Sequence, residues 1–69
     1  MTKTAHFKVF CLECYKNAHR MNGRDAFTLF KRYGVFEYLG SFYDALHSFG
    51  HQYIVQDIDE FIAVRKTSA

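Results

Sequence analysis

Apolar residues recur at three- and four-residue intervals along most of this chain, a spacing typical of amphipathic helices. The chain contains no proline, and its glycines at 34, 40 and 50 mark places where helices can end. A chain of 69 residues forms one domain and buries only about 60% of the surface that its unfolded form exposes. The sequence therefore predicts one all-α domain over residues 1–69, a small bundle of four or five short helices with an ordered core at about 5–66.

The first two helices are predicted at about 5–20 and 23–33. The first is expected to bury an apolar stripe, with Cys11 at its edge, that consists of Phe7, Phe10, Cys14, Ala18 and Met21. Asn22 is a candidate N-cap for the second helix, and Gly34 is expected to close it.

Two questions stay open in the second half. Residues 35–49 keep a helical period across Gly40, so they form either one helix or two. The segment 53–55 has the side chains of a short extended piece, and Asp57 with Glu60 has the spacing of a capping box that starts a helix. The alternative is a single helix over 52–66, and the break before Asp57 is preferred.

Charge is unevenly distributed, although the net charge of +2 is too mild to indicate nucleic-acid binding by itself. Residues 1–34 carry seven Lys or Arg and two Asp or Glu, whereas residues 35–69 carry two and five. There is no apolar run that would serve as a secretory signal or cross a bilayer. We therefore expect a cytoplasmic protein with no membrane association and with reduced thiols.

Cys11 and Cys14 have the CxxC spacing of redox and zinc sites, with His19 nearby. A structural zinc ion needs four ligands, and the sequence has no second CxxC to supply them. Cys14 also falls on the predicted apolar stripe, where a thiol acts as a small hydrophobic side chain. We expect core packing here, and we predict neither a metal site nor a cofactor.

His47 and His51 have the spacing of a zinc-binding HExxH helix, but Ser48 replaces the glutamate and Gly50 lies between them. Gly50 is expected to end the helix, which leaves His47 in the last turn to interact with free carbonyl groups. No nucleophile or phosphate-binding loop accompanies these histidines, so the sequence predicts no catalytic residue and no enzyme.

A helix-turn-helix DNA-binding protein is the alternative interpretation, and it depends on the stretch AFTLFKRYGVFEYL and on the basic first half. The glycine in the turn fits this motif. The helix after it, Val35 to Leu39, offers Glu37 and aromatic residues where a recognition helix presents Arg, Lys, Asn or Gln. Nucleic acid is therefore not the expected partner.

The stretch NGRDAFTLFKRYGVFEYLGSFYDALHSFGHQYIVQDIDEFI resembles a family of short bacterial proteins, domain of unknown function 3791. The resemblance covers about residues 7–65, and it is carried by Leu29 to Gly34, Tyr43 to His47, Gly50, and Tyr53 to Ile58. The resemblance implies that the genes of members lie beside genes of a second family related to ADP-ribosyltransferases. This arrangement is similar to that of toxin–antitoxin operons. The resemblance implies a small antitoxin-like protein that restrains or positions a larger enzyme.

The residues themselves favour a non-enzymatic interaction module. The chain has more aromatic side chains than a core of this size is expected to hold, and tyrosine is enriched in interface cores. We expect an apolar patch that binds another protein, such as the product of a neighbouring gene, or a second copy of this chain. The candidate partner-binding residues are Tyr38, Tyr43, His47 and Tyr53.

Overall fold

The computed structural model describes residues 2–68. Within that range the chain forms five helices and no strand: α1 Lys3–Ala18, α2 Gly23–Arg32, α3 Val35–Ser41, α4 Tyr43–Leu46 and α5 His51–Ser68. This confirms the predicted all-α bundle of short helices.

The N-cap of α1 is Thr2, whose Oγ1 accepts a hydrogen bond from the Ala5 amide at 3.1 Å. The helix ends at Ala18, two residues earlier than predicted, and Arg20 takes a left-handed conformation with φ of 55°. The Met21 amide donates to the carbonyl of Lys16 at 2.9 Å and closes this turn. The chain can then reverse direction before α2.

The buried side of α1 is formed by Phe7, Cys11 and Tyr15, so the predicted stripe was wrong in its register. Phe10 is half exposed and Ala18 is exposed, whereas Cys11 is fully buried. The physical reason is that α1 packs against α2, α3 and α5 together, so its buried side faces the space between three helices.

α2 starts and stops at residues suited to those positions. The side-chain oxygen of Asn22 accepts a hydrogen bond from the Asp25 amide at 2.8 Å, which satisfies one of the free donors in the first turn. Gly34 follows the helix with φ of 70°, a left-handed conformation that costs glycine little and other residues more. The chain turns there, and α3 begins at the next residue.

Residues 35–49 form two helices, which answers the first open question. Phe42, with φ of −110°, separates α3 from the single turn of α4. Leu39 and Leu46 are both buried on either side of this junction. A change of helix direction therefore lets each short helix bury one leucine in the same core.

α5 is one continuous helix from His51, so the extended segment at Tyr53, Ile54 and Val55 and the break before Asp57 were wrong. Asp57 and Glu60 lie inside the helix and cap nothing. Tertiary packing decides this, because Ile54, Ile58 and Ile62 stand at helical spacing and all three are buried.

One core joins the helices. Its largest fully buried side chains come from all parts of the chain except α4, and they are Phe30, Leu39, Ile54, Ile58, Val35 and Cys11. Tyr15 packs edge-on against Phe30, with ring centroids 5.3 Å apart. With these side chains inside, the remaining aromatic residues lie at the surface.

Candidate functional site

Two groups of mostly aromatic side chains lie near each other on α3, the α3–α4 junction, the α4–α5 connection and α5, and together we call them the aromatic face. It consists of Tyr38, Phe42, Phe49, Tyr53, Phe61 and Val64. Four of its members are large apolar side chains that stay about half exposed: Phe42 at 53%, Phe49 at 45%, Tyr53 at 51% and Val64 at 65%. Four of the seven large apolar side chains that are exposed among the described residues therefore lie on this face.

Ring contacts hold each of the two groups of the aromatic face together. The ring of Tyr38 stacks on that of Phe61, with centroids 4.2 Å apart, and lies 5.2 Å from that of Phe42. The rings of Phe49 and Tyr53 are 4.5 Å apart. The side chains are therefore pre-organised, which lowers the entropy that a partner has to remove on binding.

Asp57 anchors the middle of this face. The Tyr38 hydroxyl donates to Oδ2 of Asp57 at 2.5 Å, across the boundary between α3 and α5. Burial, this hydrogen bond and the Asp57 charge raise the pKa of Tyr38 to about 12. Tyr38 is therefore a neutral donor at physiological pH, and it fixes the position of its own ring.

A cleft at the C-terminal half of the aromatic face carries charges of both signs. It is lined by Tyr38, Phe61 and Val64 together with Asp57, Glu60 and Arg65. The guanidinium carbon of Arg65 lies 4.2 Å from the centroid of the Phe61 ring. Arg65 also borders a second cleft, which is basic and is lined by Lys31, Arg32, Tyr33, Gly34 and Lys66.

The structure does not bring the four predicted partner-binding residues together. Tyr38 and Tyr53 lie on the aromatic face, whereas Tyr43 and His47 line a different cleft with Lys3, His6 and Phe10. His47 Nδ1 donates to the Tyr43 carbonyl at 2.7 Å, and their rings stack with centroids 4.6 Å apart. His47, which follows α4, therefore interacts with the first residue of that helix.

Sequence reasoning missed Phe42, Phe49, Phe61 and Val64 as surface residues and assigned Asp57 and Glu60 to a helix cap. A signal was present on α5, where Tyr53, Asp57, Phe61 and Val64 recur at helical spacing beside the buried isoleucines. No comparable signal existed for Phe42, because its exposure depends on the change of direction between α3 and α4.

The cysteines are packed in and beside the core. Cys11 is fully buried, and burial together with the neighbouring Cys14 raises its pKa to about 12. Burial and the charge of Glu13 also raise the pKa of Cys14. A raised pKa lowers the fraction of thiolate, which is the form that binds metals and attacks disulfides.

His19 contacts α5 and the ring of Tyr15. Its Nε2 is 2.9 Å from Oδ1 of Asp59, and its ring packs on Tyr15 with centroids 4.3 Å apart. In the part of the chain that the structure describes, no three His, Cys, Asp or Glu side chains converge as a metal site. None of the described helices is both long and apolar enough to cross a membrane.

The fold and this surface define a class: a small all-α domain whose main surface feature is a cluster of aromatic side chains. A family model described as a protein of unknown function (DUF3791) matches residues 6–65, which is most of the chain. The chain belongs to this family. No curated protein and no solved structure matches it.

Proposed function

We propose that this protein is a non-enzymatic interaction module that binds another protein through the aromatic face. The observation that carries the proposal is the set of apolar side chains on the aromatic face that are about half exposed or more: Phe42, Phe49, Tyr53 and Val64. Exposing this much apolar surface in a domain with a small core is unfavourable unless a partner covers it. Phenylalanine and tyrosine are also enriched at the centres of protein interfaces.

The resemblance implies which partner to test first. In a bacterial cytoplasm, the product of a neighbouring gene related to ADP-ribosyltransferases would be bound and restrained by this module, in the manner of an antitoxin. The half-exposed rings of the aromatic face offer apolar anchors for such a protein.

The character of the clefts supports a binding role over catalysis. The clefts are shallow and open, and Asp57 beside one of them already accepts a hydrogen bond from Tyr38. Among the described residues, each buried side-chain polar atom has a partner. These polar groups already form hydrogen bonds within the fold, whereas catalysis needs polar groups that point toward a substrate.

DNA binding through α2 and α3 has less support. α3 contains no Arg, Lys, Asn or Gln, and its Val35 and Leu39 are buried in the core. Glu37 would face the phosphate backbone with the wrong charge. A salt-dependent shift of duplex DNA at micromolar protein concentration would favour this alternative instead.

Co-purification with the neighbouring gene product, followed by calorimetric titration, tests the proposal. Phe42→Ala and Tyr53→Ala each remove a half-exposed ring, and we expect each to weaken binding about tenfold or more, as loss of an interface anchor does. Phe27→Ala is the matched control, because Phe27 is 48% exposed but lies on α2, where it contacts Phe36.

Thermal unfolding by circular dichroism checks that all three variants fold. Equal loss of binding in Phe27→Ala and Tyr53→Ala would contradict the assignment to the aromatic face. Full binding by a Phe42→Ala, Tyr53→Ala double variant would do so as well. Absence of any complex with the neighbouring product would reject the antitoxin-like role.

A further inference from the structure

The C-terminal half of α5 carries an ordered series of charges around an apolar centre. Asp57 and Glu60 lie at one end, Phe61 and Val64 are in the middle, and Arg65 follows at the other end. Lys66 and the last turn of α2, with Lys31 and Arg32, add positive charge at this second end. Arg65 lines both clefts, so the basic end adjoins the cleft that contains Asp57 and Glu60.

We propose that two copies of this chain pair through this part of α5, antiparallel to each other and related by a twofold axis near Phe61 and Val64. A twofold axis brings the same patch of both copies together, so the patch has to be complementary to itself. Rotation about an axis at its centre places the acidic end of one copy on the basic end of the other.

The dimensions suit this arrangement. Asp57 and Arg65 are eight residues apart on α5, which is about 12 Å along the axis at 1.5 Å per residue. Two antiparallel helices packed at 8–10 Å would place Arg65 of each copy beside Glu60 and Asp57 of the other. Val64, which is 65% exposed, would then be covered at the centre.

A second copy fits better than an unrelated acidic or basic partner, because both signs of charge occur on one cleft. A nucleic acid would meet Asp57 and Glu60 beside the cations, and its phosphates would be repelled. Contacts within the chain hold these side chains in place: Tyr38 binds Asp57 and stacks on Phe61, and the guanidinium of Arg65 lies over the Phe61 ring. The pairing surface is therefore preformed in the single chain.

This inference goes beyond the proposed binding of a different protein and does not rest on it. In the pair, Tyr53 lies one turn before Asp57, beyond the acidic end of the overlap. The rings of Tyr53 and of Phe49, which contacts it, would therefore remain at the two ends of the dimer. Each dimer would present two such aromatic clusters.

Sedimentation equilibrium over a range from low micromolar to millimolar protein tests the pairing. We expect the wild-type chain to approach twice its monomer mass of 8.1 kDa. Val64→Asp should remain monomeric, because it places two carboxylates at the centre of the pair. Val9→Asp is the control, since Val9 is 50% exposed on α1, and it should dimerise like the wild type.

Charge reversal identifies the orientation. Glu60→Arg and Arg65→Glu should each weaken self-association about tenfold or more, because each creates like-charge contacts twice in a symmetric pair. When the two variants are mixed, opposite charges meet at both contacts, so a heterodimer should form with an affinity near that of the wild type. Circular dichroism confirms that each variant is folded.

A wild-type chain that is monomeric at every concentration overturns the proposal. Dimers that tolerate Val64→Asp as well as Val9→Asp place the interface elsewhere and overturn it too. A mixture that associates no better than its two components rules out the antiparallel pairing. Loss of partner binding in Phe42→Ala or Tyr53→Ala concerns the proposed function alone and leaves this result unchanged.

Discussion

Asp57 and Cys11 show how the surroundings of a side chain decide its role. The Asp57 carboxylate accepts a hydrogen bond from the Tyr38 hydroxyl of another helix, and it lies inside its own helix instead of capping it. Cys11 occupies a position with 0% exposure, where its thiol fills space between helices. In both cases a residue type associated with capping or redox chemistry supports tertiary packing.

The two thiols are expected to differ in reactivity. Raising the pKa of Cys11 from 9.0 to about 12 lowers its thiolate population about a thousandfold at pH 8, and burial also excludes the reagent. We predict that Ellman's reagent modifies Cys14 in the native protein and reaches Cys11 only after unfolding. Absorbance at a series of urea concentrations measures both reactions.

The single-cysteine variants separate the two signals. Cys14→Ala leaves only Cys11, and its reaction rate should rise with urea as the protein opens. Cys11→Ala leaves only Cys14, which is partly exposed and should react without urea. Equally fast reaction of both variants in buffer would contradict the assignment of Cys11 to the core.

At the scale of elements, α5 shows where local sequence signals succeed and fail. Residues at helix boundaries act through their own backbone neighbours, so the positions of Asn22 and Gly34 could be inferred from sequence. The Asp57 and Glu60 pair has the same local pattern as a capping box, yet three buried isoleucines keep the helix continuous through it.

The candidate site was harder to infer than the fold, because it depends on how different helices pack against each other. Tyr38 and Tyr53 were predicted to share a surface, and the packing of α3 on α5 brings them near enough for the charge of Tyr53 to raise the pKa of Tyr38. Tyr43 was placed with them wrongly, because the junction at Phe42 directs α4 toward Phe7 of α1. Helical spacing within one element is visible in a sequence, whereas the relative direction of two short helices is set by the whole core.

Proline substitution tests the continuity of α5. Gln56 is exposed inside the helix, so Gln56→Pro removes a backbone hydrogen bond and should lower the free energy of unfolding by about 3 kcal/mol or more. Gln52→Pro is the control, because Gln52 is also exposed but lies in the first turn, where amides lack intrahelical partners. Urea denaturation compares the two.

A domain of 69 residues has a total stability of about 3–10 kcal/mol, so Gln56→Pro is expected to remove a third or more of it. Gln52→Pro should remain folded. Similar, small effects of both substitutions would indicate that the chain tolerates a break before Asp57, and the continuous helix would be wrong.

At the scale of the whole molecule, three ionisable groups are held neutral by the fold. The pKa of Cys11, Tyr15 and Tyr38 is raised to about 12 in each case, with burial as the largest cause. The charge of Asp59 adds to the effect at Tyr15, and that of Asp57 adds to it at Tyr38. All three groups join α1 or α3 to the rest of the core, so their ionisation affects the bundle as a unit.

We therefore predict that the free energy of unfolding falls as the pH rises above about 9. In the unfolded chain the thiol loses its proton near pH 9.0 and the phenols lose theirs near pH 10.0, whereas the folded chain keeps all three protons until about pH 12. Because the folded state binds more protons in this window, raising the pH favours unfolding. Their stabilising contribution is fully present below pH 9 and is lost by about pH 12.

Urea denaturation at intervals from pH 7 to 12 measures this dependence, and the Tyr15→Phe, Tyr38→Phe double variant isolates the phenols. A phenylalanine has no proton to lose, so the double variant should show a shallower decline between pH 10 and 12 than the wild type. Below pH 9 these groups should not change the free energy of unfolding of either protein with pH. The neutral range is therefore an internal control. Identical slopes in the two proteins would show that burial and the neighbouring carboxylates do not raise the pKa of the two phenols, and the assignment of both side chains to the packed bundle would be wrong.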